Sequence, residues 1–142
     1  MTTEMSSPSD YGYVNQITLR WKDNDVYGHV NNVEYYSFFD TVINEFLIVE
    51  AGLDIHAGSA IGLCAESHCN FIAPVAFPDT VTAGLRVAHL GNSSVRYELA
   101  LFDGGGVPIA EGWFVHVFVD RGTRRASPIP PSLRAKLEEL GP

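Results

Sequence analysis

Positive charge is scarce in this chain: nine Lys and Arg stand against seventeen Asp and Glu, for a net charge of −8. Such a surface repels phosphate backbones unless its few cations cluster, so nucleic acid is excluded as a general partner. Cysteine is sparse too. Cys64 and Cys69 are the only two, an odd number of positions apart in a segment that reads as a strand. They are therefore expected on opposite faces, unbridged, as buried and inert small hydrophobes. His68 is the only local neighbour able to activate either. No apolar run spans a bilayer, because the stretch after Val33 is interrupted by Glu34, Asp40, Asn44 and Glu45. Met1 to Asp10 has neither the basic start nor the hydrophobic stretch of a signal peptide. The expectation is a disordered tail over residues 1–12 and a cytoplasmic protein. Internal repeats are absent, and 142 residues with 46% apolar content make one domain with a real core, set at residues 13–142.

What is present has clear periodicity. From Val14 to Trp21, the apolar Ile17, Leu19 and Trp21 alternate with Gln16, Thr18 and Arg20, which predicts a half-buried strand. Asn31 with Glu34 three positions on forms a capping-box arrangement that starts a helix running to about Ala51, where Gly52 stops it. Within it Glu34, Ser37, Thr41 and Asn44 make one narrow polar stripe. Aromatic and aliphatic residues from Tyr35 to Leu47 take most of the remaining circumference, so this helix must be enclosed on several sides. Four further strands are predicted, at 60–73, 80–90, 94–102 and 109–119. Gly91-Asn92 and Asp103 to Gly106 are turn signals that join the last three as antiparallel neighbours. An extended Pro128 to Pro131 and a short amphipathic helix from Ser132 to Leu140 close the chain. One strand, one enclosed helix and four strands define an α+β architecture in which a sheet wraps the helix.

The chemistry concentrates between the first strand and the helix. Asp23-Asn24-Asp25-Val26-Tyr27-Gly28-His29-Val30-Asn31-Asn32-Val33-Glu34 gathers carboxylates, a histidine, a glycine and asparagines where helix N-terminal amides converge. The segment approaches a calcium-loop template, with acids at positions one and three, glycine at six and glutamate at twelve. It fails at position five, where Tyr27 offers no carboxylate, and a strand precedes it where that motif requires a helix. Asp23, Asp25 and His29 as transition-metal ligands is a weaker variant of the same idea.

Trp21-Lys22-Asp23-Asn24-Asp25, then Gly28-His29-Val30-Asn31-Asn32 and Tyr35, resembles the signature of the 4-hydroxybenzoyl-CoA thioesterase-like branch of the hotdog-fold superfamily. Its His-Val-Asn-Asn is also similar to the plant acyl-acyl-carrier-protein thioesterases. Pro74 with Asp79, Leu90-Gly91-Asn92-Ser93-Ser94 at a hairpin, and Val119 through Pro128 agree in order, so the likeness covers roughly residues 14 to 135. The resemblance implies a five-stranded antiparallel sheet around one long helix. It further implies active sites at the interface of a homodimer or homotetramer whose subunits pair their sheets side by side, and hydrolysis of an acyl-thioester on coenzyme A, or on acyl carrier protein, with no metal and no bound cofactor.

On that resemblance Asp25 is the family carboxylate, acting as nucleophile or as general base on water. The backbone amides of Asn32 and Val33 are the expected oxyanion donors at the helix start, and Gly28 permits the close turn that presents them. Asn32 joins Asp25 and His29 as the catalytic set, His29 either contacting the carbonyl, orienting Asp25, or making a structural hydrogen bond. Asp23 is expected to be structural. Tyr27 stands where the acyl-carrier-protein relatives carry asparagine, which favours coenzyme A. Tyr35, His68, Asn70, Ser94 and Arg121 complete the candidate substrate contacts. For His68 and Asn70, which share one strand face with Glu66, the alternative is a polar patch at a subunit interface. For Arg121, clustered with Arg124 and Arg125, it is a solvated hairpin turn rather than contact with coenzyme A phosphates. Two further possibilities are a protein that binds acyl-thioesters without hydrolysing them, against which Asp25 argues, and a dehydratase, whose signature is missing.

Overall fold

A computed structural model describes residues 6–141. Five strands form a single antiparallel sheet in the order β1-β3-β4-β5-β2: β1 (Tyr13–Thr18), β2 (Ala60–Phe71), β3 (Thr80–Leu90), β4 (Ser94–Phe102) and β5 (Pro108–Asp120). Consecutive β3, β4 and β5 are joined by the two predicted hairpins, while β1 and β2 occupy the two edges. The long helix α1 (Asn32–Glu45) lies against one face of this sheet, and a short helix α2 (Pro131–Glu138) follows β5.

Alternation places Val81, Ala83, Leu85 and Val87 of β3, and Val95, Tyr97, Leu99 and Leu101 of β4, inside with the helix, all of them buried. The buried side of α1 answers with Tyr35, Phe38, Phe39, Val42 and Ile43. Phe39 packs edge-to-face on Phe114 of β5 with centroids 6.2 Å apart. Truncating a fully buried aromatic such as Phe39 costs about 3–5 kcal/mol, so this contact surface carries much of the fold. Beyond Glu45 the helix widens into a π-turn over Phe46–Glu50, closed by Gly52 at φ +71°. That conformation is what makes glycine the stop. The polar stripe of Ser37 and Thr41 faces outward as expected.

Several expectations need correction. The first strand ends at Thr18, and Trp21 begins a 3-10 turn, Trp21–Asp23, with its side chain 75% exposed. Alternation in sequence continued past the point where pairing with β3 stops, at Thr18 opposite Thr80. Residues 6–12, expected within a disordered tail, instead carry a 3-10 turn at Pro8–Asp10, and Tyr11 is buried over Gly84 and Phe102. Residues 1–5 of that expectation lie outside the described residues. The two cysteines share a face. A bulge between Cys64 and Glu66 inserts one residue into β2, so Cys64 pairs with His116 and Cys69 with Gly112, both on the helix side. Both are free thiols; Cys69 is buried and its thiol is pushed up to about 11 by burial, whereas Cys64 is exposed.

Candidate active site

The site loop is held by its two ends. Asp23 is fully buried, and its carboxylate accepts the Arg20 backbone amide at 2.8 Å and the Arg20 guanidinium at 3.0 Å. Its carbonyl accepts the Asn31 amide at 2.8 Å. Val30, also buried, donates to the Val75 carbonyl at 2.8 Å and bridges to Asn24, whose side chain accepts the Phe77 amide. Between these anchors the chain turns sharply: Gly28, at φ +85°, donates to the Asp25 carbonyl at 3.1 Å, and the Asp25 amide donates to the His29 carbonyl at 2.9 Å. A loop pinned at both ends and bent at a glycine presents Asp25 and His29 in a fixed place.

Asp25 is half-buried, and one of its carboxylate oxygens accepts the Tyr27 amide at 2.8 Å. Among the described residues its other oxygen has no protein donor. Asp25 and His29 open onto a cleft of about 480 Å³, together with Val30, with Asn32 and Tyr35 of α1, and with Phe71, Ile72, Ala73 and Pro74 at the end of β2. Asn31 caps α1 through its side chain, which accepts the Val33 amide at 3.3 Å. This takes up Val33, expected as the second oxyanion donor. The Asn32 amide, at the first helical position, has no intrahelical acceptor and donates to no protein group among the described residues. Glu34 does not return the cap; it faces Arg20 at 3.8 Å instead.

Of the candidate site residues, the fold therefore gathers Asp25, His29, Asn32 and Tyr35 around one cleft, with Gly28 making the turn behind them. Tyr27 is 84% exposed at the loop tip and does not line it. His68 and Asn70 lie on the opposite face of the sheet, hydrogen-bonded to each other at 3.0 Å and with His68 stacked on Trp113. Ser94 sits at the β3–β4 hairpin, accepting the Gly91 amide through its carbonyl. Arg121 donates to the carbonyls of Gly58 at 2.6 Å and Ile55 at 2.7 Å, so its guanidinium fastens the loop before β2. Sequence reasoning missed Phe71 and Ile72, half-exposed apolar side chains at the strand end beside the cleft. The apolar run Phe71-Ile72-Ala73 just before Pro74 was the available signal. The calcium-loop reading fails because the Asp23 carboxylate is occupied by Arg20. Among the described residues no three His, Cys, Asp or Glu side chains converge as a ligand set.

One antiparallel sheet packed around one long helix is the hotdog fold, and the cleft that joins Asp25, His29 and the start of that helix to an apolar strand end is its candidate site. The sequence pattern of the thioesterase-like superfamily matches residues 19–137, and the chain belongs to that superfamily: it is a thioester hydrolase. The PA5185 protein of Pseudomonas aeruginosa strain PAO1 is 52% identical, with 97% of each chain covered and a TM-score of 0.93. The long-chain acyl-CoA thioesterase FadM of Escherichia coli K12 is 25% identical over 127 residues, which is 88% of this chain and 96% of that one. A thioesterase of Thermus thermophilus, solved with coenzyme A and zinc, is 27% identical with a TM-score of 0.74, covering 92% of this chain and 95% of its own. None of the helices among the described residues is long and apolar enough to cross a membrane.

Proposed function

We propose that this chain hydrolyses acyl-CoA thioesters in the cleft between the Asp23–Asn31 loop, the start of α1 and the end of β2. The observation that carries this is the meeting of Asp25, the Asn32 amide and an apolar wall in one cleft. Asp25 attacks the thioester carbonyl or takes the proton of the water that does. The carbonyl oxygen, gaining charge, is met by the Asn32 amide at the positive end of the helix dipole. The carbon–sulfur bond then breaks and the departing thiolate leaves as free coenzyme A with a proton that comes from water; where Asp25 was the nucleophile, water then cleaves the acyl–aspartyl anhydride, releasing the acid and restoring the carboxylate. His29, exposed at the cleft mouth, contacts the carbonyl or the thioester sulfur. A positioned base contributes about 10²–10⁴-fold, enough to make Asp25 the largest side-chain effect. The named relative that acts on acyl-CoA and the one solved with coenzyme A support this carrier over acyl carrier protein, as does Tyr27.

The cleft is open to solvent, and the end of the edge strand β2 lines it. Only Ala60 and Cys69 of that strand are buried. An edge so long and open calls for a partner, and pairing β2 with β2 of a second copy would close the cleft and give a homodimer, or a homotetramer built from two. The reducing cytoplasm suits two free thiols. Assaying the purified chain against acyl-CoA and acyl carrier protein thioesters tests the reading: release of free coenzyme A thiol is expected. No hydrolysis of any acyl-CoA would overturn it, and a stable monomer by light scattering at micromolar concentration would overturn the shared cleft.

A further inference from the structure

One polar group at the cleft has no part in the hydrolysis described above. Tyr35 of α1 is 3% exposed, its ring set against Phe71 at 5.2 Å and Phe38 at 6.4 Å. Its hydroxyl makes no hydrogen bond among the described residues, yet it is not sealed in: the fully buried side-chain polar atoms without a partner there are the Tyr97 hydroxyl and His116 Nδ1. The Tyr35 oxygen therefore meets the cleft that its residue lines. Burial holds this phenol above its ordinary value, so it keeps its proton and can donate.

A desolvated donor with no acceptor weakens a fold unless a ligand supplies one. The wall around it does not: Val30, Phe71, Ile72, Ala73 and Pro74 bring only apolar side chains to the cleft.

The reaction makes an acceptor of its own. A carbonyl oxygen has two lone pairs and gains charge as the tetrahedral intermediate forms, while the helix start offers it one free amide, that of Asn32. The next amide, of Val33, is taken by the Asn31 side chain at 3.3 Å. Tyr35 lies three residues beyond Asn32 on the same face of α1, about 4.5 Å along the axis. Helical side chains lean back toward the N-terminus, so a residue at 35 covers the turn that opens at Asn32. Both residues line one cleft, and Asp25 lines it with them.

We propose that the Tyr35 hydroxyl is the second donor to the thioester oxygen, beside the Asn32 amide, and so is a catalytic residue. This rests on the acyl-CoA reading and deepens it. No bond forms or breaks at Tyr35: the phenol keeps its proton, its hydrogen bond strengthens as the oxygen becomes anionic, and it relaxes when the carbonyl is restored.

Tyr35→Phe removes that oxygen and keeps the ring. Single-turnover rate and kcat/KM, taken per folded molecule over a panel of straight-chain, aromatic and hydroxylated acyl-CoA thioesters, are expected to fall together by roughly 10- to 100-fold for every acyl group, with KM little moved. The loss should stay below that of Asp25→Asn, because the Asn32 amide still holds the oxygen. Melting temperature should not drop, since the hydroxyl removed had no protein partner. An undiminished single-turnover rate, a change in KM alone, or a loss confined to the hydroxylated acyl groups overturns the second donor while leaving acyl-CoA hydrolysis standing. Wild type that hydrolyses no acyl-CoA overturns the acyl-CoA reading and the donor with it.

Discussion

Asp23 and Asp25 are two residues apart on one loop and occupy opposite environments. Asp23 has no exposed surface and spends its carboxylate on the backbone and guanidinium of Arg20. Asp25 gives one oxygen to a turn amide and opens onto the cleft with the other. On the proposed function Asp23 is scaffold and Asp25 is chemistry, two roles on one short segment that turns at Gly28. A residue type, or even a motif position, does not assign the role. Solvation and the number of donors already satisfied do.

That division can be broken or sharpened by substitution. The largest effect is expected from Asp25→Asn, which should lower steady-state acyl-CoA turnover by about 100-fold or more while leaving the melting temperature nearly unchanged. Asp23→Ala should act on the other axis: loss of a buried acceptor for two Arg20 donors costs roughly 2 kcal/mol, read as a lowered urea midpoint. Gly28→Ala places a side chain at φ +85° with nothing within 4 Å of its Cβ. The cost is backbone strain alone, about 1 kcal/mol, and denaturant unfolding should show it as a smaller shift than that of Asp23→Ala. The smallest change is expected for Asn31→Ala, near the lower end of the roughly 0.5–2 kcal/mol range for cap removal, given a cap bond of 3.3 Å. It would also free the Val33 amide as a second donor, so its turnover should not fall with its stability.

Much of this was legible in the chain. Period-two alternation located β3, β4 and β5 and their hairpins. Asn31 and Gly52 bracketed the helix, because a cap and a left-handed stop are local devices that a sequence displays directly. Asp25, His29 and Asn32 were picked out correctly as neighbours because one turn and one helix start lie between them. What failed was non-local. The bulge after Cys64 reverses which face its side chain takes, and no residue type announces it. For Arg121 the residues alone leave a solvated turn or a phosphate contact, and neither shows that its guanidinium fastens the distant carbonyls of Gly58 and Ile55. His68 and Asn70 could be placed on one face together, but alternation alone cannot say which face meets the helix.

The most direct test of the account is turnover per folded molecule in Asp23→Asn beside Asp25→Asn, on the same acyl-CoA and with the folded fraction taken from melting curves. The account predicts a stability loss with near wild-type turnover per folded molecule in the first, and wild-type melting with at least about a 100-fold loss of turnover in the second. Equal losses of turnover in the two variants, or undiminished turnover in Asp25→Asn, would contradict it.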